Sequence, residues 1–119
     1  MALIPTLILK DSTTFSDEIN FSVTDSLTVA APAQSLSTIA CATAGANSII
    51  VPASASGCYL FVRHTGNLSN VVLVENTDDS QFANLKTGEF MFLPHLSGSL
   101  GVQVQSAAAV VIEYAYWTI

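Results

Sequence analysis

The sequence predicts an all-β chain: a single antiparallel β-sandwich, jelly-roll or immunoglobulin-like, of about eight or nine short strands. Three observations predict it. No window sustains apolar residues at i, i+3, i+4 and i+7 with charge on the opposite face, so no helix is expected. β-Branched and aromatic residues instead fall in short runs bounded by Gly, Pro, Asn, Asp or Ser. Several of those runs alternate apolar and polar side chains with period 2, the spacing of a strand half-buried on one face.

The runs cover residues 3–9, 19–29, 37–42, 48–51, 59–64, 70–75, 89–93, 100–105 and 109–118. In Ile19-Asn20-Phe21-Ser22-Val23-Thr24 the odd positions are expected to face a core. In Leu100-Gly101-Val102-Gln103-Val104-Gln105 the even positions point inward. Tyr59-Leu60-Phe61-Val62 is apolar on both faces, which predicts a central strand. Residues 30–37 are Ala-rich and punctuated by Pro32, and are expected as a loop or an excursion along an edge. Between runs, Thr65-Gly66-Asn67, Asn76-Thr77-Asp78-Asp79-Ser80, Lys86-Thr87-Gly88 and Ser97-Gly98-Ser99 supply residues that tolerate φ > 0 or form Asx-turns. Pro94 is expected to end a strand, because it has no N–H for a ladder.

All 119 residues are assigned to one sandwich domain. Residues 1–10 are set apart as a possible inter-subunit strand or arm, because Leu3, Ile4, Leu7 and Ile8 are apolar, β-prone and close to a chain end. This apolar start is short, lacks a positive n-region and is followed by Lys10 and Asp11, so it reads as a strand and not a signal peptide. Synthesis in a reducing cytoplasm is the expectation. No stretch reaches the 18 or so apolar residues of a membrane-spanning helix, and no membrane partner is expected.

Composition narrows the chemistry. Lys10, Arg63 and Lys86 are the only cationic side chains, the formal net charge is −6, and 10% of residues are charged while 50% are apolar. Nucleic-acid binding needs Lys and Arg to neutralise phosphates, so no nucleic-acid partner is expected. Catalysis needs converging ionisable groups. His64 at a strand end and His95 in a turn read as surface or strand-end residues, and no Gly-x-Ser-x-Gly elbow occurs. Asp78-Asp79 and Asp17-Glu18 read as solvated turns before they read as carboxylate pairs for hydrolysis. Asn76, Asp78 and Asp79 are oxygen ligands close in sequence, but not with the spacing of an EF-hand. Cys41 and Cys58 sit in apolar runs and read as buried free thiols; a bridge between them is the alternative, which spacing alone does not test. With His64 and His95 they match no zinc spacing. Asn67-Leu68-Ser69 is a glycosylation triplet without an export signal to support it. No catalytic residue, cofactor or metal is expected.

One stretch rises above pattern. Tyr59-Leu60-Phe61-Val62-Arg63-His64-Thr65-Gly66-Asn67 is followed by Val71-Val72-Leu73-Val74. Then come Phe82-Ala83-Asn84-Leu85-Lys86-Thr87-Gly88-Glu89-Phe90-Met91-Phe92-Leu93-Pro94 and a small-residue closing strand ending Ile112-Glu113-Tyr114. This order resembles small β-sandwich structural proteins of tailed-bacteriophage virions, over roughly residues 59–119. His64 stands where the resembling pattern has Asn. Within the motif, Gly88 is expected at φ > 0, with Phe90 and Phe92 entering the core and Glu89 and Met91 facing out.

The resemblance implies a non-enzymatic virion protein. Within that class a capsid decoration (cement) protein is favoured, a homotrimer on the capsid exterior bound to the major capsid protein or another virion protein. A tail, head-fibre or adaptor protein is the alternative in the same class. The apolar excess implies buried contacts between subunits, with Leu3, Ile4, Leu7, Ile8, Tyr116 and Trp117 as interface residues. A reading of a different class is a carbohydrate-binding β-sandwich, with Tyr59, Tyr114, Tyr116 and Trp117 as the available aromatic platform.

Overall fold

A computed structural model describes residues 1–10, 20–30, 32–41, 48–53, 57–66, 69–75, 79–96 and 101–119; of residues 32–34, 75, 95 and 96 it describes the backbone alone. Twelve strands are present among them, all paired antiparallel: β1 (Ala2–Leu3), β2 (Thr6–Lys10), β3 (Asn20–Thr24), β4 (Leu27–Thr28), β5 (Pro32–Cys41), β6 (Ser48–Val51), β7 (Cys58–His64), β8 (Val71–Glu75), β9 (Gln81–Leu85), β10 (Phe90–Leu96), β11 (Val102–Ser106) and β12 (Val110–Thr118).

Eight of them form the sandwich. One sheet has the order β10-β7-β12-β5 and the other β6-β11-β8-β9. The pairs β8·β9, β7·β10, β6·β11 and β5·β12 nest one outside the next. The chain is thus one long hairpin whose tip is the β8–β9 connection, with successive pairs rolled alternately into the two sheets. That is the jelly-roll member of the two expected topologies. The additional contacts β7·β12 and β8·β11 close each sheet.

The core lies between the sheets. Cys58, Leu60, Val62 and His64 point inward from β7, and Val110 and Ile112 from β12. They meet Val71 and Leu73 of β8, and Val102 and Val104 of β11. Each such aliphatic side chain taken from water is worth roughly 1.5–3 kcal/mol. The ion pair Arg63–Glu113 on the outer surface spans 4.0 Å with Arg63 half exposed, a geometry worth at most about 1 kcal/mol. Apolar packing therefore holds the sheets together, as a chain this poor in charge requires.

Most of the expected strands appear, and their differences have physical causes. The even positions of β11 point inward, β7 is central and β5 is an edge strand. Gly88 has φ 83° at the third position of the Lys86–Glu89 turn. Glu89 N–H donates to the Lys86 carbonyl at 3.0 Å, and Lys86 N–H to the Glu89 carboxylate at 2.7 Å.

The orientation of β10 is the reverse of that expected. Met91 and Leu93 pack against the core, while Phe90 is 62% exposed and Phe92 stacks on Tyr59 with ring centroids 6.2 Å apart. The register decides this. Met91 lies opposite Val62 and Leu93 opposite Leu60, both inward residues of β7, and a shift of one residue would turn every side chain over. Pro94 does not end the strand. The register shifts between Leu93 and Leu96, and β10 is an edge, so a residue without N–H is tolerated there. His95 accordingly lies in a strand and not in a turn. Gln81–Leu85 adds a strand to those expected, and the expected runs 3–9 and 19–29 are each broken in two.

Candidate functional site: an apolar arm beside an aromatic sheet face

The two broken runs pair with each other as one interrupted hairpin, the arm. Leu3 lies opposite Leu27, Leu7 opposite Val23, and Lys10 opposite Asn20. The interruption is chemical. Pro5 has no N–H to donate, and across from it Asp25 turns its carboxylate onto the Ser26 N–H at 2.7 Å. One bond spans the gap, from Asp25 N–H to the Pro5 carbonyl at 3.1 Å. The base is tied to the sandwich: Met1 and Val29 exchange two backbone hydrogen bonds, and Ala30 N–H donates to the Thr118 carbonyl at 2.9 Å. Val29 is buried.

Beyond the interruption every residue of β2 and β3 is exposed. Directly opposed residues share a face, so Leu7, Val23, Leu9 and Phe21 form one apolar face. The other carries Thr6, Thr24, Ile8, Ser22, Lys10 and Asn20. On that polar face the Thr6 and Thr24 hydroxyls hydrogen-bond at 3.0 Å. The alternation read from residues 19–24 is real, but the expected core is not there. Phe21 and Val23 are 47% and 54% exposed, because β2 and β3 pair only with each other and join neither sheet of the sandwich.

Beside the arm lies the outer face of the β10-β7-β12-β5 sheet. Tyr59, Phe61 and Arg63 of β7 point outward, with Phe92 opposite Phe61, Phe90 opposite Arg63 and Trp117 opposite Tyr59. Phe90 and Val111 are exposed on this face, and Tyr59, Phe61, Phe92 and Trp117 are half-buried. The base of the arm leans over it. Leu7 and Val23 line a cleft of about 260 Å³ with Phe92 and Pro94.

The residues expected at an interface are distributed as follows. Ile4, Leu7 and Ile8 are exposed on the arm, and Leu3 is half-buried near its base. Tyr116 points inward and packs against the core, and burial together with nearby Tyr114 and Cys58 pushes its phenol up. Trp117, one residue on, is on the outer face. Sequence reading placed Leu9 in the possible arm without singling it out, and did not single out Phe21, Val23 or Phe90 as interface residues. The signal for Phe21 and Val23 was present as alternation, whose faces it assigned to a core.

His64, Cys41 and Cys58 are buried in the sandwich. His64 is fully buried, not on the surface. Gly66 N–H donates to its Nδ1 at 3.1 Å and its Nε2 lies 2.8 Å from the Ser69 carbonyl. An unprotonated Nδ1 and a protonated Nε2 satisfy both bonds, so the ring braces the turn after β7. Gly66 fits closely there: an added Cβ would stand 3.2 Å from the imidazole and from Val110, so those neighbours would have to give by a few tenths of an ångström. Cys41 and Cys58 are free and buried. Desolvation pushes the Cys41 thiol up to about 11 and raises Cys58 as well, so both stay protonated and unreactive at neutral pH. Among the described residues no three His, Cys, Asp or Glu side chains gather where a metal ion could be held. Asp17, Glu18, Asn67, Leu68, Asn76 and Asp78 lie outside the described residues, and so does the side chain of His95; of the oxygen cluster suggested for a cation only Asp79 is described. Comparison with protein-family models, with curated protein sequences and with solved structures found no match to this chain.

Proposed function

We propose that this chain is a non-enzymatic structural protein that works by assembly: a capsid decoration (cement) protein that forms a trimer and binds the outside of a phage head. The observation that carries the reading is the arm. An isolated two-stranded ribbon is marginal in water, yet here it carries four large apolar side chains on one face, each more than two-fifths exposed, and pairs with neither sheet of the sandwich among the described residues. Apolar surface of this kind marks a contact with another molecule. The jelly roll is a fold that viral capsid and lectin domains share. The motif order over residues 59–119 supports the first, and the acidic, charge-poor surface favours an exterior position over contact with packaged DNA.

The test is binding of the purified chain to undecorated heads of the virus that encodes it. Saturable, stoichiometric co-sedimentation is expected, together with heads that resist heat and osmotic shock better than bare ones. Heads that bind nothing overturn the reading.

A second reading, a carbohydrate-binding module, has one observation in its favour. Trp117 lies opposite Tyr59 on the outer sheet face, and Tyr59 stacks on Phe92. Retention on a glycan matrix, lost in Trp117→Ala with the fold intact, would put this reading first.

A further inference from the structure

We infer that the apolar face of the arm is covered by a second copy of this chain, whose aromatic sheet face receives it at Phe90 and Phe92. The inference deepens the assembly reading above and rests on it. Three observations identify the occupant.

The first is area. A compact protein of 12.5 kDa exposes about 6,200 Å², whereas this chain exposes 6919 Å². The excess of roughly 700 Å² is close to the ~800 Å² that one partner contributes to a standard interface. The radius of gyration agrees: 15.5 Å against about 13.5 Å for a compact chain of this length.

The second is that the receiving surface exists on the same chain and is left open. Phe90 and Val111 remain exposed on the outer face, although the base of the chain's own arm stands over Phe92 and Pro94.

The third is continuity. At its base the arm already turns Leu7 and Val23 toward Phe92 and Pro94 across the cleft, so arm against β10 is a contact these surfaces begin to make within one chain. Leu9 and Phe21 extend the same arm face toward its tip.

An arm that gives to one neighbour and a sheet face that takes from another make a heterologous contact. Such contacts close into a ring when the rotation allows, and a ring of three fits the proposed trimer.

The experiment is light scattering on the full chain and on Phe21→Asp, with circular dichroism to check folding. The wild-type chain is expected as a closed oligomer, and Phe21→Asp as a folded species of threefold lower mass, 12.5 kDa. Leu9→Asp, on the same face, is expected to behave alike and stands in if Phe21→Asp misfolds. A mixture of Phe21→Cys and Phe90→Cys chains should then form a disulfide between the two variants, while Phe21→Cys alone should not cross-link.

A wild-type monomer at its highest soluble concentration overturns the inference. So does an oligomer that both aspartate variants leave intact. So does cross-linking of Phe21→Cys with itself, which would mean arm against arm. A ring that ignores heads overturns the decoration reading and leaves the arm contact standing; a monomer that binds heads does the reverse.

Discussion

The arm and the sandwich are written in the same alternation of apolar and polar residues, and they end in opposite surroundings. Val102 and Val104 of β11 are fully buried between the sheets, whereas Leu7 and Leu9 of β2, with the same spacing, are more than two-fifths exposed. The difference lies in what stands across the apolar face. β11 has β6 and β8 beside it and a second sheet opposite; among the described residues β2 pairs with β3 alone, and only at the arm's base do Phe92 and Pro94 stand across an open cleft. Period-2 patterning says which residues share a face. Whether that face becomes a core depends on topology, and in the arm topology leaves Leu7, Leu9, Phe21 and Val23 exposed.

Paired substitutions can break this comparison. Leu60→Ala, in the core, should cost 2–5 kcal/mol through lost transfer energy and the cavity left behind. Leu9→Ala should cost under about 0.5 kcal/mol, as exposed substitutions do. Both are read by urea unfolding in the Phe21→Asp background, where assembly does not contribute. Equal costs would mean that the arm is part of the subunit's own core.

A second experiment sharpens the comparison through titration. The folded Cys41 thiol is raised to about 11 from 9.0 in the unfolded chain. A group with a raised folded value stabilises fully below its unfolded value and loses that contribution as pH rises toward the folded one. Stability should therefore fall between pH 9 and 11, by up to about 2–3 kcal/mol at 1.36 kcal/mol per unit. Unfolding midpoints across that range, compared with Cys41→Ala, isolate the thiol. The arm holds no thiol and should be indifferent. A comparably small effect belongs to Thr6→Val, which removes the exposed hydroxyl pair with Thr24. It should shift the subunit's unfolding by no more than about 0.5 kcal/mol.

The residues explain what the sequence could and could not disclose. In β11 one parity is Val and the other Gln, so the inward face was readable without a partner. In Phe90-Met91-Phe92-Leu93 both parities are large and apolar, and only the register against Leu60 and Val62 selects Met91 and Leu93 for the core. Gln81-Phe82-Ala83-Asn84-Leu85 carries too little β-branched character to announce a strand, and is one because β8 pairs with it. His64 reads as a strand end, and it is one; its burial follows from the turn that brings Gly66 and Ser69 onto the ring. For the candidate site, the arm's first strand was legible in the apolar, β-prone Leu3, Ile4, Leu7 and Ile8. The run over residues 19–29 was legible too, but its pairing with that first strand was not, because it is a long-range fact.

The nesting of the strand pairs has a consequence for how the protein is made. β8·β9 is a local hairpin, but β5·β12 joins segments about seventy residues apart, and β12 sits between β5 and β7. Closing so long a loop is slow and gains nothing until its contacts form. On the ribosome, neither β5 nor β7 can find its central neighbour until residues 110–118 have emerged. The sheet with the aromatic face is therefore completed only after synthesis has passed that point. The arm is translated well before that point, and the surface proposed to receive it is completed late. Under the assembly proposed above, a nascent arm therefore finds no finished receiving face on an equally incomplete neighbour.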